Sequence, residues 1–131
     1  MSSGKQRHQQ RQNAVAQLGR GLSRRARNRC ELCQHATSLQ VIEIAPIDPD
    51  GPCVDRAAML CRRCAGLVAG GKLKEPNQLR FLEESIWSET LPVQLASVRL
   101  TRALANQGVD WAVDTLDILY LDPEIEELTV S

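Results

Sequence analysis

Four of the five cysteines fall into two Cys-x-x-Cys pairs, Cys30 with Cys33 and Cys61 with Cys64. A Cys-x-x-Cys turn brings two thiolates to one ion, and two such turns complete the tetrahedral shell that zinc favours, at about 2.3 Å per bond. One structural Zn2+ held by Cys30, Cys33, Cys61 and Cys64 is therefore the expected cofactor. A shell of four thiolates leaves no open position for a reacting water, so no catalytic residue is assigned. A redox dithiol is the competing chemistry. It wants its pair at the end of a strand in a βαβ unit, whereas Cys30 follows a polar, basic segment. Cys53 lies outside both pairs and reads as a partly buried free thiol, with a fifth or substitute ligand as the alternative. His35, two residues past Cys33, reads as a polar side chain of the turn, or else as a competitor for the ion.

The charges are as unevenly placed as the cysteines. Half of the 16 basic residues (Lys5, Arg7, Arg11, Arg20, Arg24, Arg25, Arg27 and Arg29) precede Cys30, and none of the 16 acidic residues does. At the other end no Lys or Arg follows Arg102, while Asp110, Asp114, Asp117, Asp122, Glu124, Glu126 and Glu127 all do. Such polarity suggests separate roles for the two ends. Arg20, Arg24, Arg25, Arg27, Arg29, Arg62 and Arg63 are candidate phosphate contacts. Those nearest the cysteines could equally offset the formal charge of −2 on a four-thiolate zinc centre.

The elements that must position these side chains can be read from spacing. Met1 to Gln12 has no apolar periodicity and is expected to lack structure. From Asn13 to Arg29, Val15, Leu18, Leu22 and Ala26 make a narrow helical stripe, weakened by Gly19 and Gly21. Ser38 to Ile44 alternates like a strand, Ala57 to Leu60 offers a second, and Cys61 to Ala69 suits a short helix closed by Gly70 and Gly71. Asn77 could cap a helix carrying Leu79, Leu82 and Ile86, and Pro92 suits the first turn of another. That one would place Val93, Ala96, Leu100 and Ala103 on one face and Arg99 and Arg102 on another. After Gly108, Val109, Ala112, Val113, Leu116 and Leu119 are expected to face inward, with Asp110, Asp114 and Asp117 sharing a face. Asp122-Pro123 then offers a cap and first-turn proline for a final helix.

The second Cys pair opening a helix after two strands is the layout of a treble clef, and a zinc ribbon with both pairs on hairpins is the alternative. The expected class is thus α+β, a small four-cysteine site with a short β-hairpin followed by a mostly helical half. Three segments are expected: a basic, partly disordered arm over 1–26 that supplies charge and little core, a zinc module over 27–71, and a helical region over 72–131 packing on it and ending acidic. Only Phe81, Trp87, Trp111 and Tyr120 are aromatic, so the core must be aliphatic. No run of 18 apolar residues suits a membrane span. The N-terminus lacks the apolar stretch of a secretory signal, so a cytoplasmic location is expected. In that reducing setting cysteines serve as ligands or free thiols rather than disulfides.

LQVIEIAP between the two Cys pairs resembles the HNH nuclease motif, in which that strand carries paired histidines and another histidine follows the second pair. Aligned on Leu39, Val41, Ile44 and Pro46, those positions hold Ile42 and Glu43, and Ala65 follows Cys64. The resemblance is to a degenerate, noncatalytic form. RNRCELCQHATSLQVIEIAP, DPDGPC, MLCRRC, SIWSETLPVQLASVRLTRAL and LDILYLDPE together resemble the N-terminal zinc-binding part of the PhnA-type proteins, named from an alkylphosphonate utilisation operon. That resemblance implies a small metal-binding fold. It implies too a following β-rich, SH3-like domain, which this sequence, ending at Ser131, is not expected to contain.

Three functions from different classes follow. The first is a noncatalytic zinc-binding module that sets the basic arm on RNA or DNA. The second is an interaction adaptor whose acidic C-terminal helices dock a basic protein partner. The third, from the family name alone, is a PhnA-like role in phosphonate metabolism.

Overall fold

A two-stranded antiparallel hairpin, β1 (Gln40–Glu43) and β2 (Ala57–Leu60), sits at the centre of the chain's first half. The computed structural model describes residues 3–130. Gln40 pairs with Leu60, Val41 with Met59, Ile42 with Ala58 and Glu43 with Ala57. Because side chains alternate across a strand, β2 sends Ala58 and Leu60 to one face and Ala57 and Met59 to the other. All four are buried, so both faces of the hairpin are covered.

One cover is made by α2 (Gly19–Ala26), whose Leu22 and Ala26 pack on Ala57 and Met59, with Leu18, Leu39 and Val41 at the margin. Leu22 is completely buried. The expectation that 1–26 supplies charge and little core is therefore corrected, because α2 forms one wall of the hairpin. It is preceded by α1 (Ser3–Gln17), so the described part of Met1 to Gln12 is helical rather than unstructured. Met1 and Ser2 lie outside the described residues. Arg11 holds α1 down through bonds to Glu43 of β1 and to the carbonyl of Asp48. The single helix expected over Asn13 to Arg29 is broken between Gln17 and Gly19.

The other cover is the main core. It runs from Leu32 and Ile44 through Ala58 and Leu60 to Leu79, Leu82, Val93, Leu95, Leu104 and Ala112, without a gap between the cysteine region and the helical half. Its axis is α5 (Leu91–Asn106), begun by Pro92 and buried on more than the single face expected, with Leu95, Val98 and Leu104 enclosed as well as Val93, Ala96 and Leu100. Ser97 and Thr101 are also enclosed. Their hydroxyls donate to the carbonyls of Val93 and Ser97 at 2.8 and 2.7 Å, which satisfies them without solvent. Around α5 stand α3 (Arg62–Val68), the one-turn α4 (Leu82–Ser85), α6 (Asp110–Ile118) and α7 (Pro123–Thr129).

Three expected elements differ in detail. The helix foreseen from Asn77 is a 3-10 turn over Pro76–Leu79 and then α4, because its four residues of regular α-helix begin only after Phe81. In α6 it is Ala112 and Thr115 that are buried, while Val113 faces outward. Asp122 precedes α7 as expected, yet its side chain makes no capping bond. Instead Arg99 donates to the carbonyls of Leu128 and Thr129, and Arg102 to Thr129 Oγ1 and Glu126, pinning α7 to α5 from its far end.

Candidate metal centre

Cys30 and Cys33 sit in a tight turn between α2 and β1. The turn is closed by the N–H of Gln34 donating to the Cys30 carbonyl at 2.9 Å and the N–H of Cys30 donating to the His35 carbonyl at 2.7 Å. Gln34 takes a positive φ of 69° to let the chain double back. The second pair is placed by the end of β2. Cys61 is the N-cap of α3, its sulfur accepting from the Cys64 N–H at 3.5 Å, so Cys64 falls one turn into the helix beside it. The second pair therefore opens a helix, as in a treble clef, and does not ride on a hairpin as in a zinc ribbon.

At the other end of α3 the chain is stopped by two bonds, Gly71 N–H to the Gly66 carbonyl and Gly70 N–H to the Leu67 carbonyl. This is the Schellman pattern, and Gly70 supplies its left-handed residue with φ of 100°.

These local devices converge on one point. The Sγ atoms of Cys30, Cys33, Cys61 and Cys64 all lie within 4.8 Å of one another, and those of Cys33 and Cys61 are 3.6 Å apart. A tetrahedron of sulfurs at about 2.3 Å from a central zinc has an edge of about 3.8 Å, so the quartet has the dimensions of a four-thiolate zinc shell. Three of the ligands are buried and Cys33 is half-buried. The donor set is all sulfur, which suits a structural Zn2+ and supplies no position for substrate.

The packed thiols perturb one another. Cys30 is held down, to about 4, by its hydrogen bond with Cys64 and by backbone N–H groups of Cys33, Cys61 and Leu32, against the opposite effect of burial. Cys64, the other party to that bond and itself enclosed, is pushed up, and burial pushes Cys33 up. A cation at the centre replaces this shared proton and is the natural counter-charge.

Spacing did not reveal the part that docks the turn on the hairpin. Glu31 donates its N–H to the Met59 carbonyl at 2.8 Å and accepts the Met59 N–H on its carboxylate at 2.9 Å. The same carboxylate receives both ends of the Arg25 guanidinium, at 2.8 and 2.9 Å, and Arg25 also donates to the carbonyls of Val54 and Ala57. One acidic residue thus ties the first ligand pair to β2 and to α2 together.

Helical geometry explains why Arg25 differs from its neighbour. At 3.6 residues per turn it stands only about 60° from the buried Leu22, whereas Arg20 and Arg24 stand about 160° from it on either side. Arg25 therefore turns inward as a clamp, its guanidinium engaged by Glu31 and by the carbonyls of Val54 and Ala57. Arg20, Arg24, Arg27, Arg29, Arg62 and Arg63 are all exposed. Arg63 lies over the Phe81 ring, 5.7 Å from its centroid. Among the described residues none of these six has a carboxylate partner, since the ion pairs are Arg11–Glu43, Arg25–Glu31, Arg80–Glu83 and Arg102–Glu126.

The two competitors for the ion stay out of it. His35 contributes its carbonyl and leaves its imidazole exposed, and Cys53 lies in the β1–β2 connection beside a cavity of about 400 Å3 lined by Pro46, Ile47, Asp48 and Arg56. On β1, Ile42 packs against the core, and Glu43 is engaged by Arg11 at 2.7 and 3.0 Å. The carboxylate at a position where the HNH motif has histidine is thereby held in an ion pair with a guanidinium.

Among the described residues no helix is long and apolar enough to cross a membrane. The chain matches no protein-family model, no curated protein and no solved structure.

Proposed function

We propose that this four-cysteine zinc module is a noncatalytic nucleic-acid-binding unit, which presents basic helices to the phosphates of RNA or DNA. The observation that carries the reading is the outer face of α2. Arg20 and Arg24 point away from the wall that Leu22 and Ala26 make with the hairpin, with Arg27 and Arg29 following on the way to the first ligand pair. The packed side fixes the helix and the zinc turn fixes its end, so these guanidinium groups are held outward on rigid elements. Gly4 to Gln10 of α1, which includes Lys5 and Arg7, is exposed throughout and can extend the contact.

None of these positions is aromatic, so bases have no stacking platform there and binding should be to backbone phosphates, with little sequence discrimination. Kinship with the PhnA-type proteins belongs to the same proposal and rests on the segments quoted above. A phosphonate-processing role draws no support from a quartet whose four donors all serve one ion.

Fluorescence anisotropy of labelled single-stranded RNA and duplex DNA against the zinc-loaded chain tests the reading. Affinity should fall steeply with salt, with a logarithmic slope of about −0.7 to −0.9 per phosphate neutralised. Replacing Arg20, Arg24 and Arg27 together by Ala should flatten that slope and weaken binding. Point changes are the right tool, because deleting 1–26 would remove a wall of the hairpin. Absence of affinity at low salt for both nucleic acids would refute the proposal.

A further inference from the structure

The outward face of α6 mixes carboxylates with exposed apolar side chains. Asp110, Val113, Asp114, Asp117 and Ile118 follow the spacing of one helical stripe, and every one of them is exposed. Around the helix they occupy an arc of about 140°, centred opposite the buried Ala112 and Thr115. Val113 is 39% exposed, Ile118 72% and, just past the helix end, Tyr120 78%. Of the four aromatic residues of the Phe, Trp and Tyr types, the one tyrosine is exposed, two residues along the chain from the exposed Ile118.

Among the described residues no ion pair reaches Asp110, Asp114 or Asp117, since Arg102 is taken by Glu126 and Arg99 by the carbonyls at the end of α7. Asp117 lies in the last turn of α6, where no basic residue accompanies it. Negative charge there opposes the helix dipole. Asp110, in the first turn, suits the helix dipole, whereas Asp114, Asp117 and the exposed apolar side chains have no such role in the fold.

We infer that this face of α6, with Tyr120, is a docking surface for a cationic amphipathic segment of another protein, whose Lys or Arg side chains meet Asp110, Asp114 and Asp117 while its apolar side chains cover Val113, Ile118 and Tyr120. Charge complementarity names the sign of the partner, and the interleaved apolar residues require that it be amphipathic rather than merely basic. A second copy of the chain fits less well. Its free basic helix, Lys5 to Gln10 of α1, carries charge but no apolar side chain to cover Ile118 or Tyr120. The surface is distinct from the arginine face of α2 and uses none of its residues.

The probe is a synthetic helical peptide of leucine and lysine at amphipathic spacing, titrated into the full zinc-loaded chain, with a lysine-only peptide of the same net charge as control. Binding of the amphipathic peptide should be at least about tenfold tighter than that of the control. Ile118→Ser with Tyr120→Ser should remove most of that advantage, and Asp114→Asn with Asp117→Asn should weaken both peptides and flatten their salt dependence. Because all four side chains are exposed, helical content and zinc content should not change in either variant, and neither should RNA or DNA affinity fall. Equal binding of the two peptides, or binding indifferent to both variants, would overturn the inference. So would a dimer in sedimentation that the Ile118/Tyr120 variant dissolves, which would make a second copy the occupant.

Discussion

Replacing Arg25 by Met keeps an apolar stem over the hairpin but removes the guanidinium that joins α2 to the first ligand turn. The Glu31 side chain is only 7% exposed and would retain one partner, the Met59 N–H, in place of three bonds. Breaking a fully buried ion pair costs about 3–5 kcal/mol, chiefly because the remaining charge is left unpaired. Arg25 is 26% exposed, so water can partly replace it, and about 2–3 kcal/mol is the expected loss. That is a large part of the roughly 5–15 kcal/mol that holds a domain of this size. With an unfolding entropy of about 2.1 cal/mol/K per residue it lowers Tm by about 7–11 °C. Thermal unfolding of the zinc-loaded protein by circular dichroism reads the shift, with zinc content measured alongside and expected to stay at one per chain. Adding Glu31→Gln to Arg25→Met should recover part of the loss, since the buried charge is then gone. A Tm shift under about 2 °C, together with a fall in nucleic-acid affinity as large as that of Arg24→Met, would show that Arg25 contacts phosphate and that the clamp is incidental.

Cys61→Ala removes both a ligand and the N-cap of α3, so zinc content should drop below one per chain and the turn around Cys30 should loosen, read by metal analysis and by amide exchange at Cys30 to Gln34. Leu22→Ala should destabilise by about 2–5 kcal/mol in denaturant unfolding, because the side chain is wholly enclosed between α2 and the hairpin; a cost under about 0.5 kcal/mol would restore the view of 1–26 as a mere charged arm. In Gly71→Ala the new Cβ would lie 2.7 Å from the Gly66 carbonyl oxygen, so the end of α3 must open at a cost of about 1–3 kcal/mol, seen as faster exchange of the Gly71 amide.

The sequence by itself determined the two ligand pairs and the local elements that carry the second of them. A Cys-x-x-Cys turn is a local object whose two sulfurs converge wherever the turn forms, and the short apolar run Ala57–Leu60 and the paired glycines after Ala69 are equally local. β2 and α3 consequently lie where spacing put them. Arg25 was half legible, since its angle from Leu22 follows from the helical period alone, but its partner Glu31 did not. Only the tertiary structure decided which charges meet. Arg11 finds Glu43, and Arg102 finds Glu126, across stretches of chain that no periodicity links. It also decided that α5 is enclosed on several sides, because hairpin, α3, α4, α6 and α7 all surround it, and that α1 is helical where composition alone suggested none. In α6 it turned Thr115 inward and Val113 outward, a rotation about the helix axis that depends on where α5 lies. Local patterns fix an element and its approximate faces; which face is covered, and which arginine is left free to act, is set by the neighbours that long-range packing brings.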